Sequence, residues 1–340
     1  MDVALFGVIG VLALGGVGGP AERVEQDSLM GFLRELPVRR SPSSSDEHRA
    51  GLIRTQDLIA DHLRGFGYEP KILPIDWPGR ASGNEPDRPA LDQPWHNIAV
   101  ELPGREHPER VLIVGAHFDA VPASPGADDN GTGTAALLEI ARVLRGVAME
   151  RTVRLIFFNL EEPGLIGSSD YVRRRLKPEL ARGEISVIGM ASLEMLGYFT
   201  DEPGSQRSPV PAIEGVYEPP ETGDFIAVAT IAAFKPLSRR LSEAMRVASP
   251  DLNVFAADFF PVAPPDLLRS DHAPFLFAGV PSVIVTDTSN FRNPNYHSSR
   301  DTIETIDAER FTMVVRGLAG GVEALAGAIR DEPGEARPDR

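Results

Sequence analysis

The fold is decided by one stretch, Arg110–Leu144, whose sequence is RVLIVGAHFDAVPASPGADDNGTGTAALLEIARVL. It begins with an apolar run that predicts a buried strand over Arg110–Gly115. It ends with apolar residues at helical spacing, which predict a helix over Thr132–Leu144 that opens in a glycine-rich turn. A histidine and three aspartates lie between the two elements. We therefore predict a strand–helix unit with a polar site at the carboxyl end of its strand.

The same alternation of strand and helix extends to both sides of this stretch. Alternating strands and helices predict an α/β fold, a three-layer αβα arrangement around a mixed, mainly parallel and twisted sheet. The other predicted strands are Tyr68–Ile75, His96–Leu102, Val153–Asn159, Ile185–Leu193, Phe225–Thr230, Val254–Phe259 and Pro281–Thr286, and the other predicted helices are 45–67, Gly167–Arg175, Leu237–Ala248 and Ile306–Ile329.

Composition limits the classes of function. With 42% hydrophobic residues among 340, the chain can form a sizeable core. Its 49 acidic and 34 basic residues give a net charge of −15, which makes nucleic acid an unsuitable partner because phosphate binding needs a basic face. The chain has no cysteine, so disulfides, thiolate catalysis and cysteine-ligated zinc are excluded. Any metal must be held by histidines and carboxylates.

The two ends of the chain and one internal segment differ from the rest of the sequence in their composition. Val3–Gly19 is apolar and is followed by Pro20-Ala21, so we expect residues 1–21 to be a signal peptide or an N-terminal anchor of an exported protein. Membrane contact is expected only in the anchored case. We expect a single catalytic domain over 22–330 and a disordered polar tail over 331–340. The Pro-, Gly- and Glu-rich segment 200–223 has no periodicity, and it is predicted to cover the site.

Five short segments carry the candidate site residues. Charged groups at the ends of buried strands are costly unless they are paired or bind metal. Carboxylates that follow neighbouring parallel strands meet at one edge of the sheet. The segments are Gly115-Ala-His-Phe-Asp119, Gly126-Ala-Asp-Asp-Asn-Gly-Thr-Gly133, Asn159-Leu-Glu-Glu-Pro163, Ser192-Leu-Glu-Met195 and Asn295-Tyr-His297.

Each segment taken alone also has an ordinary structural explanation. Asp128-Asp129 could cap a helix, and Glu161-Glu162 could be a surface pair. At a strand end, however, two adjacent glutamates suit a division of labour in which one binds metal and the other takes a proton from water. His272, in Ser270-Asp271-His272, could bind metal, contact substrate or cap a helix.

In this order the segments resemble a known family of metallopeptidases, peptidase family 28 of the metallo class. That family includes two-zinc bacterial aminopeptidases, glutamate carboxypeptidases, glutaminyl cyclases and the metal-free transferrin receptor. The resemblance covers roughly residues 46–330. Besides the segments quoted above it includes Pro163-Gly-Leu-Ile-Gly-Ser168, Ser270-Asp-His-Ala-Pro-Phe275 and Ser298-Ser-Arg-Asp-Thr302. It implies a zinc-exopeptidase (phosphorylase/hydrolase-like) fold with two zinc ions per chain.

The resemblance implies a role for each site residue. It makes Glu161 the general base and acid, implies that Asp119 orients His117, and gives Tyr296 a role in stabilising the oxyanion. The implied metal ligands are His117, Asp128 (bridging both ions, with a cis peptide to Asp129), Glu162, Glu194 and His297. Glu194 departs from the family, which usually has Asp there, so one extra methylene moves the carboxylate by about 1.5 Å.

The activity expected from this site is exopeptidase hydrolysis, most simply by an aminopeptidase acting on peptide or aminoacyl substrates. A carboxypeptidase or deacylase of the same superfamily, a one-zinc glutaminyl cyclase and a binding-only relative stay open as alternatives. The related two-zinc family whose first motif is His-x-Asp followed by Val-Pro fits less well, because its bridging Asp lies some tens of residues later. Glu218, Glu221, Arg269 and Arg292 are the candidate contacts for a peptide end. Oligomeric state is not predicted.

Overall fold

The computed structural model describes residues 18–76 and 95–329, which form an eight-stranded sheet with helices on both faces. The strands are β1 Lys71–Pro74, β2 His96–Leu102, β3 His107–His117, β4 Arg151–Phe158, β5 Ser186–Glu194, β6 Phe225–Ile231, β7 Asn253–Phe260 and β8 Ser282–Thr286. The helices are α1 Gln26–Glu35, α2 Asp46–Gly65, α3 Gly133–Leu144, α4 Ile166–Tyr171, α5 Lys177–Ala181, α6 Lys235–Ala248, α7 His272–Phe277 and α8 Ala308–Ala326.

The centre of the sheet is parallel and its margins are mixed. The strand order is β1-β2-β4-β3-β5-β8-β6-β7. Strands β4, β3, β5 and β8 run parallel, whereas β1–β2, β2–β4 and β8–β6 pair antiparallel, and β7 is parallel to β6. The carboxyl ends of four adjacent strands therefore lie at one edge, which is where open α/β sheets place their sites.

Strand β3 shows why both faces are covered. Its residues Leu112, Val114 and Ala116 pack into a core formed with α1, α2, α3, α6 and α8. The alternate residues Val111 and Ile113 pack into a second core on the other face, which includes residues of α4 and α7. Because side chains alternate across a strand, an apolar run is buried on both sides. The predicted α/β class and three-layer arrangement are confirmed.

Most predicted elements lie within a few residues of the observed ones, and the differences are at their ends. The strand predicted over Tyr68–Ile75 is shortened to β1, and the helix predicted over Gly167–Arg175 extends to Ala181 through a π-helical turn at Val172–Leu176. The Ser45 side chain accepts a hydrogen bond from the backbone N–H of His48 at 3.3 Å, which caps α2 at its predicted start.

Two predictions concern residues outside the described part. The leader or anchor predicted over 1–21 lies almost entirely outside residues 18–76, and the predicted tail 331–340 lies wholly outside the described residues. Within 18–76 and 95–329, no helix combines the length and apolar character needed to cross a bilayer.

Candidate metal centre

The predicted site residues meet at the carboxyl edge of the parallel strands. His117 is the last residue of β3 and Glu194 is the last residue of β5. Glu161 and Glu162 follow the end of β4, and His297 lies in the loop after β8. All of these side chains line one cavity, together with Asp129 from the loop between β3 and α3. The strand order therefore brings together residues 180 positions apart in sequence.

The side chains form two groups that share one carboxylate. In the first, which we call the His117 group, His117 Nε2 lies 3.4 Å from Glu194 Oε2 and 3.5 Å from Asp129 Oδ1. In the second, the His297 group, His297 Nε2 lies 3.1 Å from Asp129 Oδ2 and 3.3 Å from Glu162 Oε2. The two oxygens of Asp129 thus face different groups.

These spacings suit zinc. Zinc binds histidine nitrogen and carboxylate oxygen at about 2.1 Å, and tetrahedral geometry then places two ligand atoms about 3.4 Å apart. The four distances of 3.1–3.5 Å in the two groups agree with that separation. The donor set is one imidazole with carboxylates in each group, which is a combination that zinc accepts without cysteine. The residues present could therefore hold two zinc ions.

The prediction that Asp128 is the shared carboxylate is wrong by one residue. The structure places Asp129 between the two histidines, and the cis peptide follows Asp129, joining it to Asn130. Asp128 instead accepts hydrogen bonds from Gly197 N–H at 2.9 Å and from the Asn293 amide at 2.8 Å. Its side chain is fully buried and serves the packing of the loop.

Asp119 has a wider role than the one predicted. Its carboxylate accepts the backbone N–H of Glu161 at 3.0 Å and of Glu162 at 3.1 Å, one on each oxygen. His117 Nδ1 lies 3.2 Å from the Asp119 carbonyl oxygen and 3.5 Å from its carboxylate. Asp119 therefore lies beside the imidazole, with its backbone carbonyl nearer than its carboxylate, and its carboxylate also fixes the backbone of two glutamates that enter the site.

Burial and neighbouring charges shift the pKa values of the site residues. Burial raises the pKa of the Glu161 carboxyl well above its usual range, and the nearby Glu162 and Glu194 carboxylates raise it further, against the effect of His117. Burial and Asp129 raise the pKa of Glu162 to about 7. Burial lowers the pKa of His297, but Asp129 and Glu162 outweigh it and bring the value to about 10. Divalent cations at this place would oppose the repulsion among the carboxylates.

Glu194 and Tyr296 are both held by neighbours. The Ser270 hydroxyl donates to Glu194 Oε2 at 2.8 Å, so the longer side chain that replaces the usual Asp has a defined orientation. The Tyr296 ring stacks on the His297 imidazole with centroids 3.8 Å apart. Arg269 Nη2 donates to the Tyr296 hydroxyl oxygen at 2.8 Å. Tyr296 therefore lies against the His297 group, on the cavity wall.

Two residues that sequence reasoning did not select support the centre. Asp301 is fully buried, and its carboxylate accepts the backbone N–H of Asp128 at 2.8 Å and of Asp129 at 3.1 Å. Arg40 is also buried, and its guanidinium donates to backbone carbonyls of Phe118 at 2.9 Å and Pro125 at 2.6 Å. Asp301 lies in the Ser298–Thr302 motif quoted above, so the sequence could have indicated it. No sequence pattern near Arg40 indicates a role at the site.

The Ser270-Asp271-His272 segment lies beside the centre, where Ser270 contacts Glu194. His272 begins α7 and is fully buried, and burial lowers its pKa to about 4. It belongs to neither group, so of its three predicted roles the structure supports neither metal binding nor substrate contact. Burial raises the pKa of Asp271 to about 7, and Glu194 contributes to the increase.

The cavity beside the two groups has a volume of about 360 Å³. Phe225, Phe255 and Phe260 give it an apolar wall, and segment 200–223 contributes six further lining residues, namely Gln206, Arg207, Pro209, Tyr217, Pro219 and Pro220. The Tyr217 ring stacks on Phe259 of β7 with centroids 4.2 Å apart, which fixes the segment against the sheet. The segment thus forms part of the cavity wall.

The fold and the paired histidine–carboxylate groups define the chain as an α/β protein of the metallopeptidase type. The family model described as "Peptidase family M28" matches residues 97–320. The chain belongs to this peptidase family, and the resemblance found in the sequence is confirmed.

Individual relatives agree with this assignment. The YfbL protein of Escherichia coli (strain K12) is 33% identical over 241 residues, which cover 68% of this chain and 72% of that protein. Aminopeptidase YwaD of Bacillus subtilis (strain 168) is 33% identical over 63% of this chain, and the probable lipoprotein aminopeptidase LpqL of Mycobacterium tuberculosis is 31% identical over 64%. The matches span only 40% and 43% of those two aminopeptidases.

Solved structures show the same fold at low sequence identity. BSAP, a zinc aminopeptidase from Bacillus subtilis, superposes with a TM-score of 0.67 and 19% identity, over 92% of this chain and 97% of that one. Fimbriiglobus ruber glutaminyl cyclase gives a TM-score of 0.63 and 18% identity, over 88% and 95%. Proteins with two different named activities therefore share this architecture. The activity of this chain has to be argued from its site residues.

Proposed function

We propose that this chain is a zinc-dependent aminopeptidase that uses two zinc ions to hydrolyse the first peptide bond of its substrate. The observation that carries the proposal is the Asp129 carboxylate, whose two oxygens face two different histidines at 3.5 and 3.1 Å. A shared carboxylate of this kind suits a pair of ions rather than one. The names of two relatives, YwaD and LpqL, and of BSAP agree with aminopeptidase activity.

The ligands divide between the two groups. His117, Glu194 and one oxygen of Asp129 would hold one zinc, and His297, Glu162 and the other oxygen of Asp129 would hold the second. Zinc bound here would polarise the scissile carbonyl and acidify a water molecule. Asp119, Asp301 and Ser270 keep the ligands in place through the hydrogen bonds described above, as outer partners do in metal sites.

Glu161 is the proton carrier of the proposed reaction. It is buried and lines the cavity, and its Oε2 lies 4.0 Å from His117 Nε2, farther than the atoms that face the histidines in each group. Its backbone is fixed by the Asp119 carboxylate. The Glu161 carboxylate accepts the proton of the attacking water and passes it to the amine that leaves, which is general base and then general acid catalysis.

Tyr296 is the proposed donor to the oxyanion. Because Arg269 donates to the phenol oxygen, the Tyr296 O–H keeps its own proton free to donate. A donor fixed beside the His297 group could hydrogen-bond to the negative charge that develops on the carbonyl oxygen. Such preorganised donors are among the largest contributions to catalysis of acyl transfer.

One experiment distinguishes the proposed activity from its alternatives. We expect the zinc-loaded protein to shorten a library of unmodified peptides from the amino end, and to leave N-acetylated copies of the same peptides intact, when products are followed by mass spectrometry. Shortening from the carboxyl end would show a carboxypeptidase. Conversion of N-terminal glutamine to pyroglutamate without hydrolysis would show a glutaminyl cyclase. If none of these three reactions occurred, the proposal that the chain is an enzyme acting on peptides would be contradicted.

We also propose that the chain is exported or anchored by its N-terminus. The apolar segment Val3–Gly19 supports this, and so does the name of the lipoprotein relative LpqL. Fractionation of cells that produce a C-terminally tagged chain would test it. Recovery only in the cytosol, at the full mass, would contradict it.

A further inference from the structure

Two guanidinium groups line the same cavity as the metal centre, in a protein whose net charge is −15. They belong to Arg207, in the segment that borders the site, and to Arg269, just before Ser270. Cations beside a cluster of carboxylates could serve only to offset its charge. The contacts of the two arginines show that they do not pair with that cluster.

Arg269 is fixed in place and partly open to the cavity. Its Nη2 donates to the Tyr296 hydroxyl at 2.8 Å, and its Nη1 donates to Asn290 Oδ1 at 2.8 Å. The Asp266 carboxylate is at 3.3 Å, and the Arg269 side chain is still 41% exposed. Arg269 therefore has a defined position and a face that solvent or a ligand can reach.

Arg207 is tied to the same asparagine. Its side chain donates to the Asn290 carbonyl oxygen, and its backbone N–H donates to the Phe291 carbonyl at 2.9 Å. Among residues 18–76 and 95–329, no carboxylate oxygen lies within 4.0 Å of the Arg207 side-chain nitrogens. The residue is exposed, so its charge is available to a ligand in the cavity.

We propose that Arg207 and Arg269 bind the C-terminal carboxylate of the substrate, so that the enzyme prefers dipeptides and tripeptides. This inference rests on the proposed aminopeptidase function and names its substrate class. Arginine is suited to the role because its planar guanidinium hydrogen-bonds both oxygens of a carboxylate.

Arg269 lies close to the metal centre, which suits a short peptide. Tyr296 connects His297 to Arg269, through one ring stack of 3.8 Å and one hydrogen bond of 2.8 Å. Two residues of extended chain span about 7 Å, so the carboxylate of a dipeptide or tripeptide stays near the centre when its scissile bond is bound there. The volume of about 360 Å³ is also that of a site for a small ligand.

An acidic side chain on the first residue is the other anion that could reach the arginines. The apolar wall formed by Phe225, Phe255 and Phe260 favours an apolar side chain in the cavity instead. Three peptides distinguish a C-terminal carboxylate from an acidic first side chain. They are Leu-Ala-Ala as the free acid, Leu-Ala-Ala as the C-terminal amide, and Glu-Ala-Ala as the C-terminal amide.

The test compares kcat/KM on these peptides for the zinc-loaded wild type, Arg207→Gln, Arg207→Lys and Arg54→Gln. Arg54 is an exposed arginine of α2 that does not line the cavity, and it serves as the matched control. We expect wild type and Arg54→Gln to prefer the acid over the amide of Leu-Ala-Ala by at least about tenfold, as a charge-assisted hydrogen bond would give. In Arg207→Gln this ratio falls to about threefold through KM, because only Arg269 remains to bind the carboxylate, and Arg207→Lys keeps more of it.

Binding gives a second readout. Calorimetric titration with a reduced-amide analogue of Leu-Ala should show tighter binding of its acid than of its amide in wild type, and a smaller difference in Arg207→Gln. Equal rates on the acid and the amide in wild type would overturn the inference while leaving the aminopeptidase function intact. A preference for Glu-Ala-Ala amide would also overturn it, in favour of an acidic first residue. Hydrolysis of none of the peptides would contradict both proposals.

Discussion

Replacing Glu161 with glutamine is expected to lower kcat by about 10²–10⁴-fold while two zinc ions stay bound. Glutamine keeps the size of the side chain but cannot accept a proton from water. Zinc should be retained because His117 has closer partners in Glu194 and Asp129, at 3.4 and 3.5 Å, than in Glu161, at 4.0 Å. Steady-state kinetics on a leucyl peptide and zinc content by plasma mass spectrometry, both on the same sample, measure the two quantities.

Glu309→Gln is the control for that substitution. Glu309 is exposed in the first turn of α8, so the same chemical change there should leave kcat and zinc content as in wild type. If kcat of Glu161→Gln stayed within about threefold of the wild-type value, Glu161 would not be the residue that transfers the proton. A variant that loses zinc and activity together would make Glu161 a ligand instead.

The second large expected effect distinguishes the roles of two adjacent residues, Asp128 and Asp129. Asp129→Asn should weaken zinc binding at both groups by at least about 100-fold, since even changes to the outer partners of a metal site cost 10–100-fold. Activity at low zinc should disappear with it. Asp128→Ala should act on the fold, lowering the free energy of unfolding by about 3 kcal/mol, because it leaves the Gly197 N–H and the Asn293 amide without their acceptor.

Zinc titration of each chelator-treated variant and urea unfolding of the same samples measure both effects. Asp119→Ala is not a suitable control, because Asp119 holds the backbone of two site residues. A surface variant such as Asp61→Asn, on α2, should change neither quantity. If Asp128→Ala lost zinc and Asp129→Asn kept it, the assignment of the shared carboxylate would return to Asp128.

The sequence predicted the fold, and it predicted which residue types meet at the candidate site. Apolar runs such as Val111–Val114 mark the buried strands, and short loops fix where each strand ends. Parallel neighbours then bring His117, Glu161 and Glu194 to one edge, whatever their separation in sequence. The metal-ligand residue types at those strand ends were therefore predictable.

The error between Asp128 and Asp129 has a local cause. Both residues lie in a loop that follows Gly126, which has a left-handed backbone, and Asp129 itself is non-helical with φ −103° and ψ 95°. In such a loop the direction of a side chain depends on individual dihedral angles, and sequence periodicity does not predict it. The choice between two adjacent aspartates therefore required the structure.

Long-range contacts were the other limit. Arg40 reaches the Phe118 carbonyl across 78 residues of sequence, and no local pattern indicates a contact of that kind. Arg269 and Arg292 were both candidates for binding a peptide end, and only the structure separates them. Arg292 is buried and donates to the Phe225 carbonyl oxygen at 2.8 Å, whereas Arg269 lines the cavity. Glu218 and Glu221 are not among the lining residues.

The most direct measurement of the central claim is zinc titration of the chelator-treated full chain, followed by hydrolysis of a leucyl peptide and by calorimetric zinc binding. The account predicts no hydrolysis without metal, and activity that rises until two equivalents of zinc per chain are bound. Asp129→Asn should abolish the rise. Full hydrolytic activity without metal, or saturation of both binding and activity at one equivalent, would contradict a centre built around a shared Asp129 carboxylate.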